Sequence, residues 1–140
     1  MTKILFSILL PLSLFSFDKF TASKIFDKVF SGFENRSVKY VYTSISIYKE
    51  TIELSSTLVL STLDKSDIVM FDKVLDIDKT KIENKILFST NYRGFKNHIE
   101  CVGAFYWFKG RPQIVFLRDR LKKQNIKLKP FLQKYIIDEL

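Results

Sequence analysis

The chain has 140 residues, and 46% of them are apolar, which is enough for one domain with a substantial core. Fourteen phenylalanines and six tyrosines against four glycines and three prolines argue against disorder and against a glycine-lined cofactor loop. The formal net charge is +8, and the segment from Arg93 to Lys134 carries all of the excess.

The start of the chain has the order of an export signal. Lys3 precedes the apolar run Ile4–Phe15, and a small residue follows it. The run stops before the charged Asp18, short of the roughly 18–20 apolar residues that a transmembrane anchor needs. We therefore expect a signal peptide over residues 1–16 and a periplasmic domain over 17–140. An uncleaved anchor and a buried N-terminal element are the alternatives.

The first half of the domain shows alternating helical and strand patterns. Phe20–Phe33 has an aromatic stripe at helical spacing, and Val38–Thr43 has the composition of a short strand. Ser44–Ser56 fits both periods, and we interpret most of it as helix. Thr57–Leu60 is short and β-prone.

Two continuous apolar runs follow, Asp67–Phe71 and Lys85–Ser89. Each is typical of a parallel strand that is buried on both faces. The charged stretch Asp72–Asn84 between them predicts a loop with a short helical turn. Thr90–Glu100 is polar and basic, and no regular element is predicted there.

The clearest local signal is a hairpin. The apolar runs Ala104–Phe108 and Gln113–Leu117 flank the predicted turn Lys109–Pro112. A basic helix over Asp119–Gln124 and a last helix over Pro130–Asp138 complete the chain. This order predicts a single-domain α/β fold: a three-layer sandwich whose mainly parallel sheet ends in a C-terminal antiparallel hairpin edge.

Hydroxyl and amide side chains follow several predicted strands, where open α/β sheets bind ligands. Together with one arginine they could hold an oxyanion or a carboxylate. The alternative is that they cap helices. The candidate ligand-binding residues are Thr43, Ser44, Ser89, Thr90, Asn91 and Arg93.

The hairpin and the basic helix are a candidate docking surface for a protein partner. An export signal argues against nucleic acid, so an acidic protein surface or peripheral contact with anionic lipid fits the charge better. The alternatives are a solvated helix face and aromatic side chains buried on both sides of the sheet. The candidate partner-binding residues are Tyr106, Trp107, Arg111, Arg118 and Arg120.

The sequence gives little support for catalysis. His98 is the only histidine and Cys101 the only cysteine, so no metal-binding motif is present and no intramolecular disulfide can form. A Cys–His nucleophile would need an orienting third group and an oxyanion hole, and neither can be identified. We expect a buried Cys101, no cofactor and no enzymatic activity. A bridge between chains is the alternative for the thiol.

The C-terminal third resembles the YfiR-like periplasmic proteins. In that family a strand, a small polar turn and a second strand lead into a helix and a segment that ends in leucines. The matching residues here are Gly103-Ala104-Phe105, Lys109–Pro112, Val115-Phe116-Leu117, Leu121, Ile126-Lys127-Leu128 and Leu132. Arg118 stands where the family has asparagine, and the family's cysteine pairs are missing.

The resemblance implies a periplasmic regulator that docks on the sensor region of a membrane-bound signalling enzyme, typically a diguanylate cyclase. Our first hypothesis is accordingly a non-enzymatic binding protein that docks on such a partner through the aromatic hairpin and the basic helix. The alternative is a small periplasmic protein that binds a solute, an oxyanion or a carboxylate.

Overall fold

The computed structural model describes residues 18–140, so the expected signal peptide over residues 1–16 lies outside the described part of the chain. Within these described residues, four α-helices and seven strands form one α/β domain. The helices are α1 (Lys19–Phe30), α2 (Ser46–Glu53), α3 (Tyr92–Asn97) and α4 (Arg118–Lys123). The strands are β1 (Tyr40–Thr43), β2 (Val59–Leu60), β3 (Ile68–Phe71), β4 (Ile86–Ser89), β5 (Cys101–Phe108), β6 (Arg111–Leu117) and β7 (Ile136–Ile137).

All seven strands form one sheet in the order β2-β1-β3-β4-β5-β6-β7. Strands β1 to β5 are parallel, whereas β6 is antiparallel to β5 and β7 is parallel to β6. The expected fold class, a mainly parallel sheet with an antiparallel hairpin, is confirmed. The hairpin is not the outermost element, because β7 pairs with the last two residues of β6.

Helices α1 and α2 cover the first face of the sheet with an aromatic core. The Phe26 ring lies 4.8 Å from the Phe105 ring, and the Phe30 ring lies 5.2 Å from that of Phe88, both edge to face. All four side chains are fully buried. Burial of each stabilises the fold by about 1.5–3 kcal/mol. The aromatic residues predicted at helical spacing in the first helix pack into this core.

The second face is covered by α3 and by the segment between β3 and β4, which contains a 3₁₀ turn at Lys79–Lys81. Phe95 of α3 belongs to the core on this second face and is fully buried. The predicted loop with a short turn is confirmed. Helix α3 was not predicted. Asn91 begins it by accepting hydrogen bonds from the backbone N–H groups of Arg93 and Gly94.

A register shift between β4 and β5 determines which way the hairpin aromatics point. Leu87 pairs with Cys101 and the next residue, Phe88, pairs with Gly103, so β5 bulges at Val102. Beyond the bulge, Phe105 and Trp107 pack on the first face and Tyr106 packs on the second.

The hairpin turn is shorter than the sequence suggested. Lys109 (φ 53°) and Gly110 (φ 75°) form a two-residue turn in which both central residues have positive φ, as in a type I′ turn. Arg111 and Pro112 already belong to β6, opposite Phe108 and Trp107. The four-residue turn was therefore wrong.

The predicted last helix is also wrong in part. Pro130–Tyr135 is a 3₁₀ helix, and the chain then extends as β7 rather than continuing to Asp138. Leu132 is the only fully buried side chain of this 3₁₀ helix. Among residues 18–140, no helix has the length and apolar character needed to cross a membrane.

Candidate functional site

A wide groove of about 950 Å³ opens at the carboxyl edge of the parallel strands. It lies where the chain leaves β3, enters α3 and ends β5. One wall comes from the aromatic end of the hairpin and the other from the start of α3. The lining residues are Lys73, Asn91, Tyr92, Arg93, Tyr106, Trp107 and Phe108.

The groove exists because β5 is longer than its neighbour. Ser89, the last residue of β4, pairs with Ala104, so β5 continues four residues beyond the end of β4. The three aromatic residues from Tyr106 to Phe108 therefore project past the parallel sheet. This projecting end is held on its other side by antiparallel pairing with β6.

The aromatic side chains of the groove contact one another. The rings of Tyr92 and Tyr106 lie 5.4 Å apart, edge to face. Burial and the neighbouring Tyr92 raise the pKa of the Tyr106 hydroxyl, so it is a neutral hydrogen-bonding group at physiological pH. Trp107 is half-buried and its ring lies 5.8 Å from that of Phe105. Phe108 is 56% exposed.

The charge of the groove is positive. Lys73 and Arg93 are exposed and line it, and among the described residues no carboxylate does. The Lys109 ammonium lies 5.3 Å from the centre of the Phe108 ring, at the tip of the hairpin. Arg111 follows directly in β6 and is exposed. The groove therefore combines aromatic surfaces with at least two cations that an anionic partner could reach.

Most of the hydroxyl-rich candidates are engaged inside the protein. The Thr43 hydroxyl accepts the backbone N–H of Ile45. Ser89 is fully buried, and its hydroxyl accepts the N–H of Asn91 and lies within hydrogen-bond distance of the Asp72 carbonyl oxygen. Thr90 is buried and donates to the Phe71 carbonyl oxygen.

Of this predicted set, the groove therefore receives Arg93 and Asn91. The Asn91 side-chain oxygen already accepts the two N–H groups that begin α3. Ser44 is exposed, follows β1 and does not line the groove. The capping alternative holds for Asn91 alone, because α2 has no side-chain cap and the hydroxyls of Thr43, Ser89 and Thr90 bond backbone groups outside the helices.

The strand order reverses between β1 and β3. Tyr48 from α2 lies at the carboxyl edge close to this point, where the charge of Asp72, the residue after β3, acts on it. The Tyr48 ring is buried against Phe26, and its hydroxyl is hydrogen-bonded to Thr90. Burial raises the pKa of Tyr48 to about 12. Ligands of open α/β sheets usually bind at this point of strand reversal. Here the available space lies further along the same edge, beyond β4 and β5.

The predicted partner-binding residues lie at two opposite edges of the sheet. Tyr106, Trp107 and Arg111 are at the carboxyl edge. Strand β6 runs antiparallel to β5 for seven residues. Arg118, which follows it, therefore lies at the amino ends of the parallel strands, about 20 Å or more from Arg111. The hairpin and the basic helix thus do not form one continuous surface.

Arg120 was expected on an exposed helix face, and this placement is wrong. It is 7% exposed, and its guanidinium donates to the carbonyl oxygens of Phe95, Lys96 and Cys101. Two of these belong to the last turn of α3, whose carbonyls have no partner within the helix. Arg118 is exposed and forms an ion pair of 2.7 Å with Asp138.

Cys101 is buried as expected, with its thiol donating to the Gly103 carbonyl oxygen. Burial raises the pKa of this thiol to about 12, which disfavours the nucleophilic thiolate at neutral pH. The His98 Nε2 atom accepts the backbone N–H of Leu75. The two side chains are engaged separately and form no thiolate–imidazole pair. Within residues 18–140, no group of three or more His, Cys, Asp or Glu residues is placed to hold a metal ion.

Sequence reasoning missed Lys73 as a member of the groove. It lies in a mixed-charge loop, and its only signal is its position two residues after a buried strand. Comparison of the chain with protein-family models, curated proteins and solved structures finds no match.

Proposed function

We propose that the chain is an exported, non-enzymatic binding protein of the periplasm, and that it docks on a membrane-bound signalling protein through the carboxyl-edge groove. The observation that carries this proposal is the exposed aromatic end of β5 beside Arg93 and Lys73. Protein interfaces are enriched in tyrosine, tryptophan, phenylalanine and arginine and depleted in other charged residues.

Two further observations support this proposal. The N-terminal sequence has the order of an export signal, and the C-terminal third resembles periplasmic proteins that regulate membrane signalling enzymes. The alternative, a small-anion protein that uses the hydroxyl groups after the strands, gains no support from the geometry. The hydroxyls of Thr43, Ser89 and Thr90 are bonded internally, Ser44 does not line the groove, and the groove is much wider than an oxyanion needs.

The test is capture of a partner from detergent-solubilised membranes of the producing cells. We expect wild-type protein to retain a specific membrane protein, and Phe108→Ser and Arg93→Glu to lose it. Phe20→Ser and Lys129→Glu are the matched controls: Phe20 is 62% exposed and Lys129 is exposed, and neither lines the groove. Equal capture by all four variants, or capture of soluble proteins only, would contradict the proposal.

A further inference from the structure

The groove has the chemistry of a binding site for an acidic segment that carries aromatic residues. We propose, building on the docking function, that the part of the partner that enters the groove is an extended peptide with alternating carboxylate and aromatic side chains. The groove's charge, shape and size each bear on this assignment.

The positive charge of the groove favours a negatively charged occupant. Arg93 and Lys73 both reach the groove, and the guanidinium can bind a carboxylate through two parallel hydrogen bonds. The nearest acidic residue along the chain is Asp72, whose charge acts on Tyr48 at the neighbouring strand ends. It does not line the groove. Lys109 and Arg111 extend the positive field over the hairpin tip.

Shape favours flat apolar groups between these charges. The edge-to-face pair Tyr92–Tyr106 lines the groove and Phe108 is exposed beside it. Trp107 is half-buried and also lines the groove, although its ring packs against Phe105 on the first face. Rings of this kind prefer offset or edge-to-face contact with another ring. A purely acidic segment would leave these surfaces in water.

The size of the groove favours an occupant larger than a single small ion. The volume of about 950 Å³ lies at the upper end of the range for drug-sized ligands, about 300–1,000 Å³. An extended segment of a few residues fills such a space and places its side chains alternately on the two walls.

Trp107 is the only tryptophan of the chain, so its fluorescence reports on the groove directly. The probe is a short synthetic peptide of alternating glutamate and phenylalanine. We expect a saturable change in Trp107 emission that weakens as salt is added. Arg93→Glu should weaken binding about tenfold, whereas Lys129→Glu, which makes the same charge change outside the groove, should not.

Two matched peptides test the two parts of the assignment. Replacing every glutamate by lysine should abolish the change, and replacing every phenylalanine by serine should weaken it several-fold. Equal binding of the lysine peptide, or no saturable change with any peptide, would overturn the inference. A stronger response to inorganic phosphate or to phosphatidylglycerol vesicles would also overturn it, and would assign the groove to a phosphate group or a lipid headgroup.

Failure of this inference and failure of the docking function give different results. If peptides fail while a membrane protein is still captured in a Phe108-dependent manner, docking stands and the acidic segment is wrong. If the peptide binds and no membrane protein is captured, the groove chemistry stands and the membrane partner is wrong.

Discussion

The guanidinium of Arg120 donates a hydrogen bond of 2.9 Å to the carbonyl oxygen of Cys101, at the start of the longest strand. The same guanidinium donates to two carbonyl oxygens of α3 and lies 5.0 Å from the centre of the Phe95 ring. One side chain thus joins α4, α3 and β5. Burial lowers the pKa of Arg120, yet the guanidinium stays charged because its reference value is so high.

Replacing Arg120 by alanine should destabilise the fold by about 2–4 kcal/mol, because it leaves several partly buried carbonyl groups without a donor. Urea denaturation followed by circular dichroism measures the loss. Arg118→Ala, two residues away in an exposed ion pair, should cost no more than about 1 kcal/mol. Similar losses for the two variants would show that Arg120 is an ordinary surface residue.

Gly94 is a second site where a small change should be costly. A Cβ atom at this position would lie 1.9 Å from the Asp72 carbonyl oxygen and 2.6 Å from the Ser89 hydroxyl. Glycine-to-alanine changes inside helices usually stabilise by about 0.5–1 kcal/mol. Gly94→Ala should instead destabilise by about 2 kcal/mol or more, since the start of α3 must move away from the end of β3.

Thermal denaturation tests the sign of this effect. Asn97→Ala, at the exposed end of the same helix, should leave the melting temperature nearly unchanged or raise it slightly. A Gly94→Ala protein as stable as the wild type would mean that α3 and the loop after β3 are not in close contact.

The sequence predicts best those elements whose burial is visible as a local run or stripe of apolar residues. Strands β3 and β4 appear as continuous apolar runs because both faces of a central parallel strand are covered. Helix α3 was missed because its packing depends on Gly94 and Phe95 alone, within a polar stretch. Strand β7 was missed because two residues owe their conformation to pairing with β6, some twenty residues earlier.

The residues of the candidate site could not be brought together from local sequence patterns either. Arg93 and Trp107 were assigned to separate sites, and the structure places them in one groove. Their proximity follows from β4 and β5 being neighbours and from the bulge at Val102, neither of which the local pattern reveals. Arg120 lies in a run of exposed charges, and only the position of α3 makes it internal.

The hairpin turn offers a stabilising substitution. Lys109 has a φ of 53°, a conformation that costs most L-residues about 1 kcal/mol and that asparagine adopts more readily. Lys109→Asn should therefore raise stability by about 0.5–1 kcal/mol, and Lys109→Val should lower it. Differential scanning calorimetry of both variants checks the order. A valine variant as stable as the asparagine variant would contradict a type I′ turn.

Asp27 should contribute a pH-dependent part of the stability. Its carboxylate accepts hydrogen bonds from the hydroxyls of Ser55, Ser56 and Thr57, and so links α1 to the segment before β2. Partial burial raises the pKa of Asp27, but the hydrogen bonds from Ser55, Thr57 and Ser56 outweigh it and hold the pKa below the ordinary 3.8. Because the folded pKa is the lower one, this contribution is complete above the unfolded value and is lost as the pH falls through the folded value.

Asp27→Asn should therefore lower the free energy of unfolding at neutral pH and make its decline below about pH 4 shallower than in the wild type. Urea denaturation at a series of pH values measures both effects. Asp64→Asn removes an exposed carboxylate with the same change in charge, and it should leave the neutral-pH stability nearly unchanged. If the Asp27 variant declined as steeply as the wild type, the hydroxyl cluster would not be binding a charged carboxylate. The link between α1 and the segment before β2 would then rest on apolar packing alone.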